Sequence, residues 1–195
     1  MPAHKITADN ILAIDDYVKV RKERKVELRA IKKDRRVQIG ADCSAYFECF
    51  ATMLHQVQEM LYIEKGGDEQ LVDELAAYNP LVPNGRELVA TVMFEIDDEI
   101  RRGKFLAGLG GIEETMFLEF DGERIMGQPE EDVDRTNAAG KASSVQFIHF
   151  PFTDVQVAKF KVESCKAVLG FDHDRYGHMT TLPADTKASL VEDFD

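Results

Sequence analysis

Three histidines fall at chain reversals, where side chains distant in sequence can meet. His149 ends the apolar run from Val145 to Phe150, and His173 and His178 flank the turn Asp172-His173-Asp174-Arg175-Tyr176-Gly177. Imidazole nitrogens with nearby carboxylates hold Zn or Fe at about 2.0–2.2 Å and leave a position open for substrate. His149, His173 and His178 are therefore the candidate metal ligands of a small metal-dependent enzyme, although their spacing matches no named metal signature. The competing reading has Asp172 and Asp174 bonding their own turn backbone, with the histidines packed or on the surface.

A second constellation is the carboxylate pair Glu48 and Glu59, with His55 four residues before Glu59 on the same helix face. A Glu and a His at that spacing can chelate an ion or relay a proton. Di-iron bundles use a different Glu-x-x-His spacing, so this chain is not itself such a protein. The plainer reading hydrogen-bonds Glu59 to Arg86 or another base near the core. Gly108-Leu109-Gly110-Gly111 follows a helix and does not open one, so its amides cannot cradle phosphate as a dinucleotide fingerprint does. No P-loop or nucleophile elbow is present. The sequence thus assigns no catalytic residue and no cofactor.

The elements that must position these residues are legible from periodicity. Residues 86–96 alternate as a strand, with Leu88, Ala90, Val92, Phe94 and Ile96 on one face and Val89, Thr91, Met93 and Glu95 on the other. Asp97 or Asp98 caps the following helix, and Gly110-Gly111 is expected to end it. Asp121-Gly122, between Met116-Phe117-Leu118-Glu119-Phe120 and Arg124-Ile125-Met126, predicts a two-residue hairpin.

Upstream, Asp9 or Asn10 is expected to cap a helix beginning at Ile11 and running through Tyr17, Val20, Leu28 and Ile31, with a thin apolar stripe. Strands are expected over 36–40 and 44–50, and helices over 51–65 and from a cap at Asp68 to a stop at Pro80. Residues 128–141, acidic and then small, read as a long loop or a short helix plus loop. A strand at 145–150, a Thr153/Gln156 capping box, strands at 167–171 and 178–182 and a terminal helix complete the order. Strands joined both by hairpins and by helices predict an α+β fold with a mainly antiparallel sheet, in a single domain spanning 1–195.

Cys43, Cys49 and Cys165 are an odd set without CxxC spacing, expected to be reduced thiols in the cytoplasm. No apolar run is long enough to cross a bilayer, and the first ten residues lack the apolar core of a secretion signal. The net charge of −12 is unevenly spread. The segment from Lys19 to Arg36 carries ten Lys/Arg against three Asp/Glu, so the rest of the chain stands at −19. That remainder excludes an extended phosphate-binding face, and hence nucleic acid. The basic segment instead fits an acidic protein partner, or pairs with the chain's own acidic body.

Several stretches carry a family likeness: Tyr17 to Arg21, Lys32 to Gly40, Tyr46-Phe47-Glu48, Gln58-Glu59-Met60-Leu61, Ala77-Tyr78-Asn79-Pro80-Leu81-Val82-Pro83, Arg86-Glu87-Leu88-Val89-Ala90-Thr91 and His149-Phe150. Over nearly its whole length the chain resembles a bacterial family known only as a domain of unknown function. Its members are often encoded beside a rubrerythrin and an iron–sulfur oxidoreductase. The resemblance supplies no catalytic residues. It implies a non-catalytic accessory or binding protein of a cytoplasmic redox or peroxide-handling system, to set beside the histidine-centred enzyme.

Overall fold

The computed structural model describes residues 3–130, 136 and 140–195. It is an α+β protein with two antiparallel sheets. The larger sheet contains β1 (Arg36–Ile39), β2 (Cys43–Phe47), β3 (Glu87–Phe94), β6 (Gln128–Pro129) and β7 (Val145–Pro151), in the order β1-β2-β3-β7-β6. The smaller contains β4 (Met116–Phe120), β5 (Glu123–Met126), β8 (Ala167–Phe171) and β9 (Met179–Thr181), in the order β5-β4-β8-β9.

β3 lies at the centre of the larger sheet, and its alternation is the reason. Leu88, Ala90, Val92 and Phe94 face the smaller sheet, where Met116, Leu118, Phe120, Leu169 and Phe171 complete one apolar cluster. Val89, on the other face, joins a second cluster with Met53, Val57, Leu61, Leu81 and Val82. A strand buried on both faces needs apolar residues at odd and even positions alike, and only Glu87 and Thr91 interrupt them here.

The Asp121-Gly122 hairpin forms as its sequence demands. Phe120 pairs with Glu123, leaving two loop residues, and both have positive φ, 47° and 75°. These are the signs required of a type I′ turn. After β5 the chain passes from one sheet to the other at Gly127, where a Cβ would collide with the Ile148 side chain and stand 3.2 Å from the Met116 carbonyl. Only glycine allows that crossing.

Among the described residues six helices close the layers. α1 (Ile14–Lys33), α2 (Phe50–Glu64) and α3 (Gly67–Tyr78) lie on the outer side of the larger sheet, with Tyr17 the single buried residue of α1. α4 (Glu99–Leu106), α5 (Asp154–Lys161) and α6 (Ala184–Val191) add Leu106, Val157, Phe160 and Leu190 to the main core. α5 has only eight residues, too few to be helical alone. It is held by the Thr153/Gln156 capping box and by Phe160, whose ring packs edge-on to Phe120, Phe152 and Phe194. Burying a ring of that size is worth about 1.5–3 kcal/mol.

Several boundaries differ from the expectations; the strand expected over 44–50 ends at Phe47, and Phe50 opens α2 behind a cap at Cys49. α1 starts at Ile14, because the Gln58 amide accepts from the Leu12 N–H and donates to the Leu12 carbonyl, and Thr7 and Asn10 close a short turn of their own. Asp98 caps α4 by accepting from the Arg101 N–H, as expected, but the helix ends at Leu106 through tightened bonds from Gly108 and Leu109. Gly111, with φ 79°, opens the next short turn. Asp68 lies inside the first turn of α3, which begins at Gly67 with Gly66 in the cap position. The loop expected over 128–141 falls largely on residues 131–135 and 137–139, outside the described residues. Its first two residues form β6.

Candidate functional site

The structure places the three candidate histidines in separate surroundings. His149 lies on β7, half-buried, with its Nδ1 2.9 Å from Glu87 and its Nε2 3.2 Å from Glu130. The two carboxylates hold opposite ring nitrogens, so they cannot share one ion with it. Burial pushes this imidazole down, but the hydrogen bonds and charges of Glu87 and Glu130 outweigh it and its pKa is raised. His173 follows the smaller sheet's β8, and its Nδ1 accepts from the Arg175 N–H. His178 packs edge-on to Tyr176, 4.5 Å between ring centres. The turn is thus closed by His173 and not by the flanking aspartates. Among the described residues no group of three or more His, Cys, Asp or Glu side chains is placed to hold a metal ion.

Glu48 precedes the Cys49 cap of α2 while Glu59 lies in its third turn, and each has its own partners. Glu59 is where α1 closes on α2. Arg21 clasps it with two bonds of 2.7 and 2.8 Å, Lys25 approaches to 3.0 Å, and the Tyr17 hydroxyl donates at 2.5 Å. The Arg21 clasp, against opposing burial and with Tyr17 and Lys25 adding to it, holds this carboxyl far below the ordinary range. Tyr62 stacks under Arg21, and His55 lies 3.5 Å from the Tyr17 hydroxyl with its pKa lowered by burial. Glu59 is therefore bound to bases from α1, while Arg86 pairs with Asp154.

The basic segment divides into two rows. Arg21 and Lys25 face inward to Glu59. Arg35 is buried, donating to the carbonyls of Phe47, Glu48 and Ser189 and to Asp193, and Arg36 reaches Glu95. Lys19 and Arg24 pair within the helix, with Asp16 and Glu27. Lys22, Arg29 and Lys33 are exposed and make no ion pair with the described residues. Steps of seven and four put them on one stripe of α1. Val18 and Val26, 52% and 59% exposed, lie along that same side.

A hollow of about 290 Å³ opens on the outer face of the larger sheet. Strand register sets its floor, since Tyr46, Thr91 and Phe147 are directly paired neighbours and so share a face. Met53 and Gln56 of α2, Tyr78 at the end of α3 and Lys32 of α1 form its sides. Glu48 is buried at its edge. The backbone there is fixed by Glu48 N–H donating to Val89 and by Arg35 donating to the Glu48 carbonyl. Its two carboxylate oxygens accept from Thr52 and Thr91, each at 2.6 Å. Sequence reasoning paired Glu48 with Glu59 and missed Tyr46, Tyr78 and Phe147. The available signal was the second face of the strands, which mixes aromatics with Thr and Glu where a plain core or solvent face would not.

The chain was compared with known proteins. A search of the curated proteins found no match. A solved structure described as a novel protein of unknown function, from Burkholderia pseudomallei K96243, is 37% identical with a TM-score of 0.91, over 98% of this chain and 100% of that one. The family model described as "Protein of unknown function (DUF3501)" matches residues 5–194. The chain therefore belongs to the DUF3501 family.

Proposed function

We propose that this protein is a non-catalytic binding protein that docks an acidic protein partner along the outer stripe of α1. The observation that carries this reading is the division of the basic segment. Its inward bases close α1 onto the body, while Lys22, Arg29 and Lys33 have no partner among the described residues and stand beside exposed Val18 and Val26. A helix with one buried residue, Tyr17, has a large free face. Charge there mainly raises the association rate, and the valines add apolar contact once docked. A redox or peroxide-handling setting for the partner is supported by the gene neighbours that the family resemblance implies.

Two charge-reversal variants separate docking from folding. Changing Lys22, Arg29 and Lys33 to Glu should leave the melting temperature nearly unchanged, as surface changes within about 0.5 kcal/mol do. It should also abolish capture of the rubrerythrin or iron–sulfur oxidoreductase encoded beside family members. Changing Arg21 and Lys25 to Glu should lower the melting temperature instead, because it sets like charges against Glu59. If the outer triple variant captures either neighbour as well as the wild type does, the docking reading fails.

A further inference from the structure

We propose that the hollow over β2, β3 and β7 binds a small organic ammonium ion, with Glu48 as its counterion and Tyr46, Tyr78 and Phe147 around its apolar body. Glu48 is 6% exposed, yet among the described residues its carboxylate makes no ion pair with a Lys, Arg or His, the Arg35 guanidinium bonding its backbone carbonyl instead. Its bonds to Thr52 and Thr91, at 2.6 Å, have the length of O–H···O⁻ contacts. Two hydroxyls orient a carboxylate but do not neutralise it. The adjacent N-terminus of α2 contributes a partial positive charge of only about 0.5. A buried charge of this kind is ordinarily met by a cation, because leaving it unmatched is costly.

The walls fit the same ligand. Tyr46, Tyr78 and Phe147 are half-buried, turned toward a space that solvent can enter, and Met53 and Met93 supply polarizable sulfur beside them. Aromatic faces attract organic cations that a carboxylate has already drawn in. At a water molecule's share of about 30 Å³, 290 Å³ holds roughly ten waters, room enough for a small ring with a short ammonium chain. Lys32 at the side of the hollow opposes a second positive charge, so a monocation is preferred. The hollow shares none of the outward stripe of α1, and the inference stands whether or not that stripe docks a protein.

The test uses phenethylamine, an ammonium of the right size, against phenylacetate, which has the same ring and the opposite charge. With methyl-labelled methionine, phenethylamine should shift the Met53 and Met93 resonances saturably below about 10 mM, and phenylacetate should not. Glu48→Gln should weaken phenethylamine binding by about 30-fold or more, the usual effect of removing one partner of a buried charge pair. Should Glu48→Gln fail to fold, Met93→Trp provides the second arm, filling the hollow and abolishing the shift at Met53 while the protein stays folded. No saturable shift with phenethylamine would overturn the proposal. So would equal response to phenylacetate, or unchanged binding in a folded Glu48→Gln or Met93→Trp variant.

Discussion

At the scale of single residues, the chemistry-bearing side chains separate into those that hold the molecule and those that remain free to meet something else. Glu59 belongs to the first group, with Tyr17, Arg21 and Lys25 bonded to one carboxylate that is only 13% exposed. Removing its charge by Glu59→Gln should cost about 2 kcal/mol at neutral pH, the range for hydrogen bonds to a charged group. The pH dependence has a definite sign. Because the folded-state pKa is depressed from 4.5, the stabilisation is fully present above that value and is lost as pH falls through the folded-state pKa. Urea unfolding between about pH 3 and pH 7 should therefore show the gap between wild type and variant narrowing on the acid side. A constant gap would mean that the clasp is not electrostatic. His149 behaves oppositely, since its raised pKa gives stabilisation that is present below 6.5 and fades as pH rises.

At the scale of elements, the hairpin gives the cleanest prediction. Gly122 has φ 75°, and a Cβ there would meet nothing within 4 Å, so the penalty for Gly122→Val is backbone strain and not collision. A loss of about 1–3 kcal/mol is expected, read as a lower urea midpoint with unchanged slope. An unchanged midpoint would contradict the positive-φ turn. This element was legible because its determinants are local: two turn residues and alternation on either side. The start of α1 was not, because it depends on Gln58, 46 residues away, gripping Leu12. The partners of Glu59 were equally hidden, since Arg21 and Lys25 meet it only once α1 lies along α2. The hollow could not be seen in any one segment, as its walls come from three strands and three helices that strand register and helix packing bring together. For the histidines, position near chain reversals was a poor guide, because β7 and the turn after β8 belong to different sheets.

At the scale of the whole molecule, Arg35 links the end of α1 and the strand edge to the C-terminal segment. It is 3% exposed and donates to three carbonyls and to Asp193, whose carboxyl burial pushes up to about 6 despite the opposing guanidinium charge. Arg35→Met should cost about 3–5 kcal/mol by stranding that carboxylate. The loss should be smaller near pH 5, where Asp193 is protonated, than near pH 8, and an equal loss at both would assign it to packing alone. With the inward bases so engaged, Lys22, Arg29 and Lys33 form an outer stripe on α1 without ion pairs among the described residues, on a chain whose remainder stands at −19. The most direct test of the proposed docking is the association rate, as a function of salt, with a rubrerythrin or iron–sulfur oxidoreductase of the kind that the family resemblance implies as a partner. Complementary charge predicts a rate that falls by about tenfold or more as ionic strength rises from about 0.01 to 0.15 M, and Lys22, Arg29 and Lys33→Glu should remove that dependence with the fold intact. A wild-type rate indifferent to salt, or a triple variant that associates as fast as wild type, would contradict it.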